Sequence, residues 1–218
     1  MPKFTIIIPH YDGAVSDEFL RRCFECLRQQ TCQDFDVLLF HDGPLSRPLP
    51  ELPKVGTAVQ LLVADKRAND CGHSLRRKGI EIARGDYIVH LNPDNVLYPQ
   101  ALATLVEAMA WPLQPSPSAD MFENPKILVF AILMRGRLIG GRGGFWRNKE
   151  ATERGSILTG IPPYAGFIDC MQLVAHHDIW QAVGGWYDLR PESDGLIYEK
   201  MIAEQGARYV PAVLGEHW

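Results

Sequence analysis

Three segments in the first 91 residues are too uniformly apolar to lie half in water: 4-FTIII-8, 35-FDVLLF-40 and 86-DYIVHL-91. A strand with one wet face alternates apolar and polar residues. Strands without that alternation are buried on both faces, as in a parallel sheet covered by helices. The intervening sequence supplies such helices. Ser16 is placed to cap one, with Asp17 and Glu18 in its first turn. Phe19, Leu20, Cys23, Phe24 and Leu27 then recur at helical spacing, while Arg21, Arg22, Glu25 and Arg28 fall on other faces. A third strand is expected at 58-AVQLLV-63, a helix at 74-SLRRKGIEIA-83 closed near Gly85, and a helix from about Pro99 to Ala110. Pro9 is expected to end the first strand. The order β-α-β-β-α-β-α places the chain in the α/β class, with a mainly parallel central sheet flanked by helices.

The second half is less regular. Four prolines between 112 and 125 read as a loop, and 127-ILVFAILM-134 as a strand. The Gly- and Arg-rich stretch 135–148 suits a hairpin or a mobile loop, and 149–166 reads as irregular. A strand near 167–174, helices near 177–183 and 195–205, and a strand 208-RYVPAV-213 follow. No internal repeat or second core with its own linker is visible. A single domain is expected over residues 1–218, with a regular half, 1–110, and a less regular half, 111–218.

Composition excludes several classes. The net charge of −4 argues against a general nucleic-acid partner. No apolar run approaches the roughly 18 residues of a membrane span, and the short run after Lys3 lacks a signal-peptide cleavage pattern. The expectation is a cytoplasmic protein without a transmembrane segment. Five scattered cysteines make no disulfide framework, and the Cys23/Cys26 pair lies within a helical pattern that favours core packing.

In a parallel sheet, ligands bind at the carboxyl ends of the strands. Those ends carry His10, Tyr11 and Asp12; Asp42; Asp65 and Arg67; and Asn92, Asp94 and Asn95. Each has a plain explanation as a turn or surface residue. Gathered at one rim, an aromatic ring, carboxylates and arginines suit a nucleotide, with the ring stacking on a base and arginine meeting phosphate.

The motifs 9-PHYD-12, 41-HDG-43, 75-LRRKGI-80 and 92-NPDN-95, with the later 183-VGGWYDLRPESDG-195, stand in an order that resembles the family 2 glycosyltransferases of GT-A fold. The resemblance covers essentially the first 110 residues. It implies a Rossmann-like α/β domain that moves a sugar from a nucleotide-sugar donor, a UDP-sugar, to a hydroxyl of a glycan or glycolipid, with inversion. By resemblance, Pro9, His10, Tyr11, Asp42, Arg67, Asn69, Arg76, Asn92 and Asp94 bind the nucleotide sugar, with Asp42 facing the base and Arg76 near the diphosphate. Asp94 takes the last acidic position of the family's Asp-x-Asp motif and holds a divalent cation, Mn²⁺ or Mg²⁺, on the diphosphate. Asn92 departs from the family's usual Asp and adds no negative charge. Asn95 reads as a helix cap.

The same resemblance places the catalytic base in 192-ESDG-195, at Asp194, with Glu192 as the competitor. His217 is a second metal ligand or part of an exposed tail. Asp169 is a residue that could face the acceptor, 176-HH-177 a capping or surface pair, and the arginines at 135, 137, 142 and 147 a docking surface for an anionic acceptor. Contact with a membrane is peripheral at most. A sugar nucleotidyltransferase is disfavoured because PHYDG stands where that enzyme has a glycine-rich start. Asn92 keeps open a catalytically silent sugar- or nucleotide-binding module.

Overall fold

The protein is described from a computed structural model covering residues 1–110, 126–135, 137–140, 144–147 and 155–218, with the backbone alone at 137–140 and 144–147. The expected loop at 112–125 and Arg142 lie outside these residues.

The first half comprises β1 (Phe4–His10), α1 (Asp17–Arg28), β2 (Phe35–His41), β3 (Ala58–Val63), α2 (His73–Ile82), β4 (Tyr87–His90), β5 (Asn95–Leu97) and α3 (Ala101–Ala110). The second comprises β6 (Ile127–Arg135), β7 (Arg137–Gly140), β8 (Gly144–Arg147), β9 (Gly155–Leu158), a 3₁₀ turn (Cys170–Gln172), β10 (Leu173–His176), α4 (His177–Val183), α5 (Ser193–Gln205) and β11 (Arg208–His217).

Several sequence expectations need correction. Pro9 lies inside β1. It is opposite Phe40 of β2, whereas β1 and β4 pair only as far as Ile7 and His90. Ile7 O accepts from Leu91 N–H, so the missing N–H of Pro9 points toward the side where β4 has already ended. Asn95 opens β5 rather than capping a helix. A short strand, β9, occupies part of the stretch read as irregular. The expected strand at 167–174 is a 3₁₀ turn followed by β10, because Asp169 caps the turn. Residues 137–140 and 144–147, by contrast, pair antiparallel in line with the hairpin reading of that stretch.

The main sheet has the order β3-β2-β1-β4-β10-β6-β11-β5, with β9 beside β6. The pairs among β1, β2, β3 and β4 are all parallel. β10 is antiparallel to β4 and to β6, and β11 runs parallel to β6. β11 therefore points the same way as β1 and ends at the same rim. β10 starts at that rim, and so does β5, whose Asn95 is paired with His217. Topology alone thus brings residues 10–12, 42, 92–95, 169 and 217 to one edge.

Each face of the sheet carries its own core. One packs Leu20, Phe24 and Leu27 of α1 and Leu102 and Leu105 of α3 on Ile6, Ile8 and Val37. The other packs Leu75 and Ile80 of α2, Trp180 of α4, and Ile197 and Tyr198 of α5 on Ile7 and Ile88. Cys23 and Cys26 sit in the first core as free thiols. Burial pushes Cys26 up to about 12 and Cys23 well above its ordinary value, so neither is poised for redox chemistry. Among the described residues no helix is long and apolar enough to cross a membrane.

Candidate active site

At the rim, a pocket of about 340 Å³ is lined by residues from all four of the expected strand ends and from the loop before α2. Pro9, His10, Tyr11, Asp42, Arg67, Asn69, Asn92 and Asp94 all line it. Asp65 is exposed and does not.

At one end, Asp42 organises the loop. Its Oδ1 accepts from Ala68 N–H at 2.7 Å and its Oδ2 from Asn69 N–H at 3.0 Å. Gly43 and Gly72 have φ of +91° and +79°, values that favour glycine. A Cβ on Gly72 would lie 2.5 Å from Pro9, so the loop closes against β1 only with glycine there. Asn69 and Cys71 also hold positive φ. The Arg67 guanidinium lies 3.7 Å from the centroid of the Tyr11 ring. The aromatic face expected to receive a base thus carries an arginine. His10 is buried, and burial together with His41 lowers its pKa to about 4. His41 ties the strand ends: its Nδ1 donates to Gly43 O at 2.7 Å, and its Nε2 accepts from Asp12 N–H at 3.2 Å.

Beneath the pocket floor lies Arg76. The resemblance places Arg76 near a diphosphate; the residue is 2% exposed. Nη1 donates to Cys71 O at 2.9 Å and Nη2 to Asn92 Oδ1 at 2.5 Å. The guanidinium also faces the Trp186 ring at 5.2 Å. The amide at position 92 is therefore engaged from below, and it supplies the acceptor oxygen this contact needs without a charge.

At the other end, His217 Nδ1 lies 2.7 Å from Asp169 Oδ2, and His217 Nε2 lies 3.9 Å from Asp94 Oδ2. A carboxylate only accepts, so Nδ1 carries the proton and Nε2 is the ring nitrogen turned toward Asp94. A divalent ion with ligands at about 2.1 Å can span up to about 4.2 Å between two of them. The oxygen–nitrogen pair of Asp94 and His217 fits that reach. Among the described residues no group of three or more His, Cys, Asp or Glu gathers to hold an ion unaided. Of the two readings of His217, metal ligand or exposed tail, the tail does not hold: His217 is 7% exposed and forms the end of β11.

Asp169 was read as facing an acceptor; the structure instead sets it behind His217. Burial alone would raise its pKa, but the charge and hydrogen bond of His217, the Met171 N–H and the Cys170 thiol outweigh that and hold it at about 2. Its signal in the sequence was the Asp-x-x-Gln spacing of a capping box: Asp169 accepts from Met171 N–H, and Gln172 Oε1 accepts from Asp169 N–H.

Asp194 stands in the first turn of α5. Its Oδ1 accepts from Gly195 N–H at 2.8 Å. Burial, and then the negative charge of Asp169, raise its pKa to about 6 despite Gly195 N–H and Arg76. Glu192 is exposed. The start of α5 is held by Trp186 Nε1, which donates to Ser193 Oγ at 2.9 Å, and Arg77 holds the carbonyls of Trp186 and Tyr187. A Cβ on Gly195 would meet Ala165 Cα at 2.4 Å, so the helix approaches that loop as closely as a backbone allows. Of the expected pair 176-HH-177, His176 caps α4 through Asp178 N–H, and His177 bonds Ile80 O.

Residues 5–114 match the family described as Glycosyl transferase family 2. Among curated proteins, the chain is 28% identical over 100 residues to the amylovoran biosynthesis glycosyltransferase AmsB of Erwinia amylovora, covering 43% of this chain and 31% of that protein. It is 32% identical over 108 residues to the uncharacterized glycosyltransferase YibD of Escherichia coli K12, covering 48% and 29%. The matched part thus spans less than a third of either relative. Residues 1–349 of S. aureus TarS superpose with TM-score 0.65 at 13% identity, covering 99% of this chain and 60% of that one; the same protein in complex with UDP gives 0.63 at 12%, covering 98% and 60%. The mannosyltransferase PcManGT from Pyrobaculum calidifontis, in complex with GDP-Man and Mn²⁺, gives 0.60 at 13%, covering 99% and 56%. These structures share the GT-A fold expected from the motifs, and the chain belongs to glycosyl transferase family 2.

Proposed function

We propose that the chain is an inverting, metal-dependent glycosyltransferase that moves a sugar from a UDP-sugar to a hydroxyl of a glycan or glycolipid. The observation that carries this reading is the continuity of the rim. The pocket around Tyr11, Asp42 and Arg67 runs to Asp94 beside His217. Residues 1–110 hold the nucleotide in this reading, and the remainder of the chain receives the acceptor.

Asp42 and the 65–72 loop hold the base and ribose end, and the guanidinium of Arg67 either moves off Tyr11 or covers the bound base. Asp94 and His217 would hold Mn²⁺ or Mg²⁺, the remaining positions being filled by diphosphate oxygens, as hard cations commonly bind. When bound, the ion neutralises charge that builds on the departing diphosphate. Asp194, with its raised pKa, takes the proton of the acceptor hydroxyl. The acceptor oxygen forms its bond to the anomeric carbon as the bond to UDP breaks, and UDP leaves with the electron pair. Glu192 is exposed to water at the N-terminal end of α5.

The test is a thermal-shift and turnover screen of UDP- and GDP-sugars with and without Mn²⁺. A bound donor at 100 times its Kd stabilises the fold by about 2.7 kcal/mol. A raised Tm that depends on Mn²⁺, with release of nucleoside diphosphate, supports the reading. A metal-dependent Tm shift with no diphosphate release under any acceptor points to a silent binding module. No shift with any donor sinks it.

A further inference from the structure

We propose that Arg22, on α1, is a positioning residue that clamps together the two chain segments delivering Asp94 and His217. This rests on the reading of those two residues as a metal half-site. Arg22 Nη2 donates to the backbone carbonyl of Asp94 at 3.3 Å. Its guanidinium carbon also lies 4.3 Å from the ring centroid of Trp218, the residue after His217, and 4.7 Å from that of Phe19. One planar cation therefore touches both segments that carry the half-site.

The surroundings argue that this placement is specific. Glu25, one turn along the helix, is within the usual range of a partner for Arg22, yet it is bonded to Arg28 and Gln29. Arg22 Nε is buried without a hydrogen-bond partner among the described residues, a cost that an arginine directed into water would avoid. The far side of Trp218 is also held: the Arg135 guanidinium lies 5.5 Å from its ring, and Arg135 Nε bonds Glu216 Oε2 at 2.5 Å. Residues 216, 217 and 218 are thus gripped by Arg135, Asp169 and Arg22 in turn. Fixing the Asp94 carbonyl and the Trp218 ring holds the two backbone segments in register, while Asp169 aims the His217 ring. The 3.9 Å separation of the half-site is what Arg22 holds.

The experiment measures Mn²⁺ binding to the protein saturated with UDP, from the paramagnetic resonance signal of free Mn²⁺. Arg22→Met keeps the stem and drops the guanidinium. The expected result is an about 10-fold higher Kd for Mn²⁺, with UDP affinity in the absence of metal within twofold of wild type. Trp218→Leu should reproduce it, and the double variant should be no worse than either single one. Arg28→Met, on the same helix, should leave the Kd unchanged. A folded Arg22→Met with a wild-type Kd overturns the clamp. Should that variant fail to fold, Trp218→Leu with an unchanged Kd overturns it equally. If the wild type with UDP takes up no Mn²⁺, the half-site falls and the clamp with it; uptake by the wild type with unaffected variants removes the clamp alone.

Discussion

Asp169 Oδ2 lies 2.7 Å from His217 Nδ1, and this bond aims the opposite ring nitrogen at Asp94. The carboxylate is itself fixed by Met171 N–H at 3.0 Å and by Asn95 Nδ2 at 3.4 Å. A carboxylate behind a histidine fixes its tautomer and strengthens it as a ligand, an effect of about 10–100-fold in metal affinity. Asp169→Asn should therefore weaken Mn²⁺ binding in the presence of UDP by that factor while leaving the pocket for the base intact. Calorimetric titration of Mn²⁺ into the UDP complex, beside titration of UDP alone, separates the two effects.

Asp194 is expected to govern turnover. Asp194→Asn should lower kcat by about 10²–10⁴-fold with donor affinity unchanged, since the proton acceptor is lost and the nucleotide pocket is not. In the wild type, the rate should fall as pH drops through about 6, where Asp194 takes a proton. The variant should lose that limb. The same substitution bears on stability. A carboxyl whose pKa rises on folding binds more protons folded than unfolded, so it opposes folding as pH rises from about 4 through 6. Asp194→Asn should then unfold at a slightly higher temperature than wild type at pH 7, as scanning calorimetry would register. Glu192→Gln should change neither property.

The strands and helices of the first half were legible because their patterns are long and consistent: 4-FTIII-8 and 35-FDVLLF-40 have no polar face, and α1 has one apolar stripe. The rim was legible for the same reason, since a parallel sheet determines where its strand ends meet. What escaped were features set by tertiary contact. β5 and β9 are short and depend on β11 and β6 for their hydrogen bonds. The last strand was read only to 213, because β11 continues to His217 through Pro211 and irregular pairing between Val210 and Gly215, where periodicity breaks. The burial of Arg76 escaped because helical spacing shows which residues share a face but not that polar groups wait beneath it. Asp169 could be noticed from the capping spacing, but its partner lies 48 positions away.

Arg76 offers a sharper structural test. Its two nitrogens reach Cys71 O and Asn92 Oδ1 at once, which a planar fork can do and an ammonium cannot. Arg76→Lys should leave one buried acceptor without its donor, a loss of about 1–3 kcal/mol. At about 2–4 °C per kcal/mol for a chain of this size, Tm should fall by several degrees. Donor affinity should weaken as well, because Asn92 and the 69–72 loop both line the pocket. A lysine variant with wild-type Tm and wild-type UDP affinity would show that Arg76 does not hold Asn92 in place.

The buried histidines make the fold sensitive to acid. His90 is fully buried edge-on against Trp180 and Trp186, with both ring nitrogens lacking partners among the described residues. Burial, followed by Arg76 and His73, drives its pKa well below the ordinary value. His73, stacked on Trp186, is lowered to about 4 by burial and Arg76, and His10 to about 4 by burial and His41. Each binds a proton more readily unfolded than folded. Stability should therefore rise with pH across the window from about 4 to 6.5, and be lost as pH falls through it. Asp194 acts with the opposite sign but contributes one group against three. His90→Phe keeps an aromatic ring against the two tryptophans and removes an imidazole that must stay neutral. It should flatten the dependence of Tm on pH below 6.5. Calorimetric scans of wild type and variant at half-unit intervals between pH 4.5 and 7.5 decide the matter: parallel curves would mean that His90 does not report the cost of burying a neutral histidine.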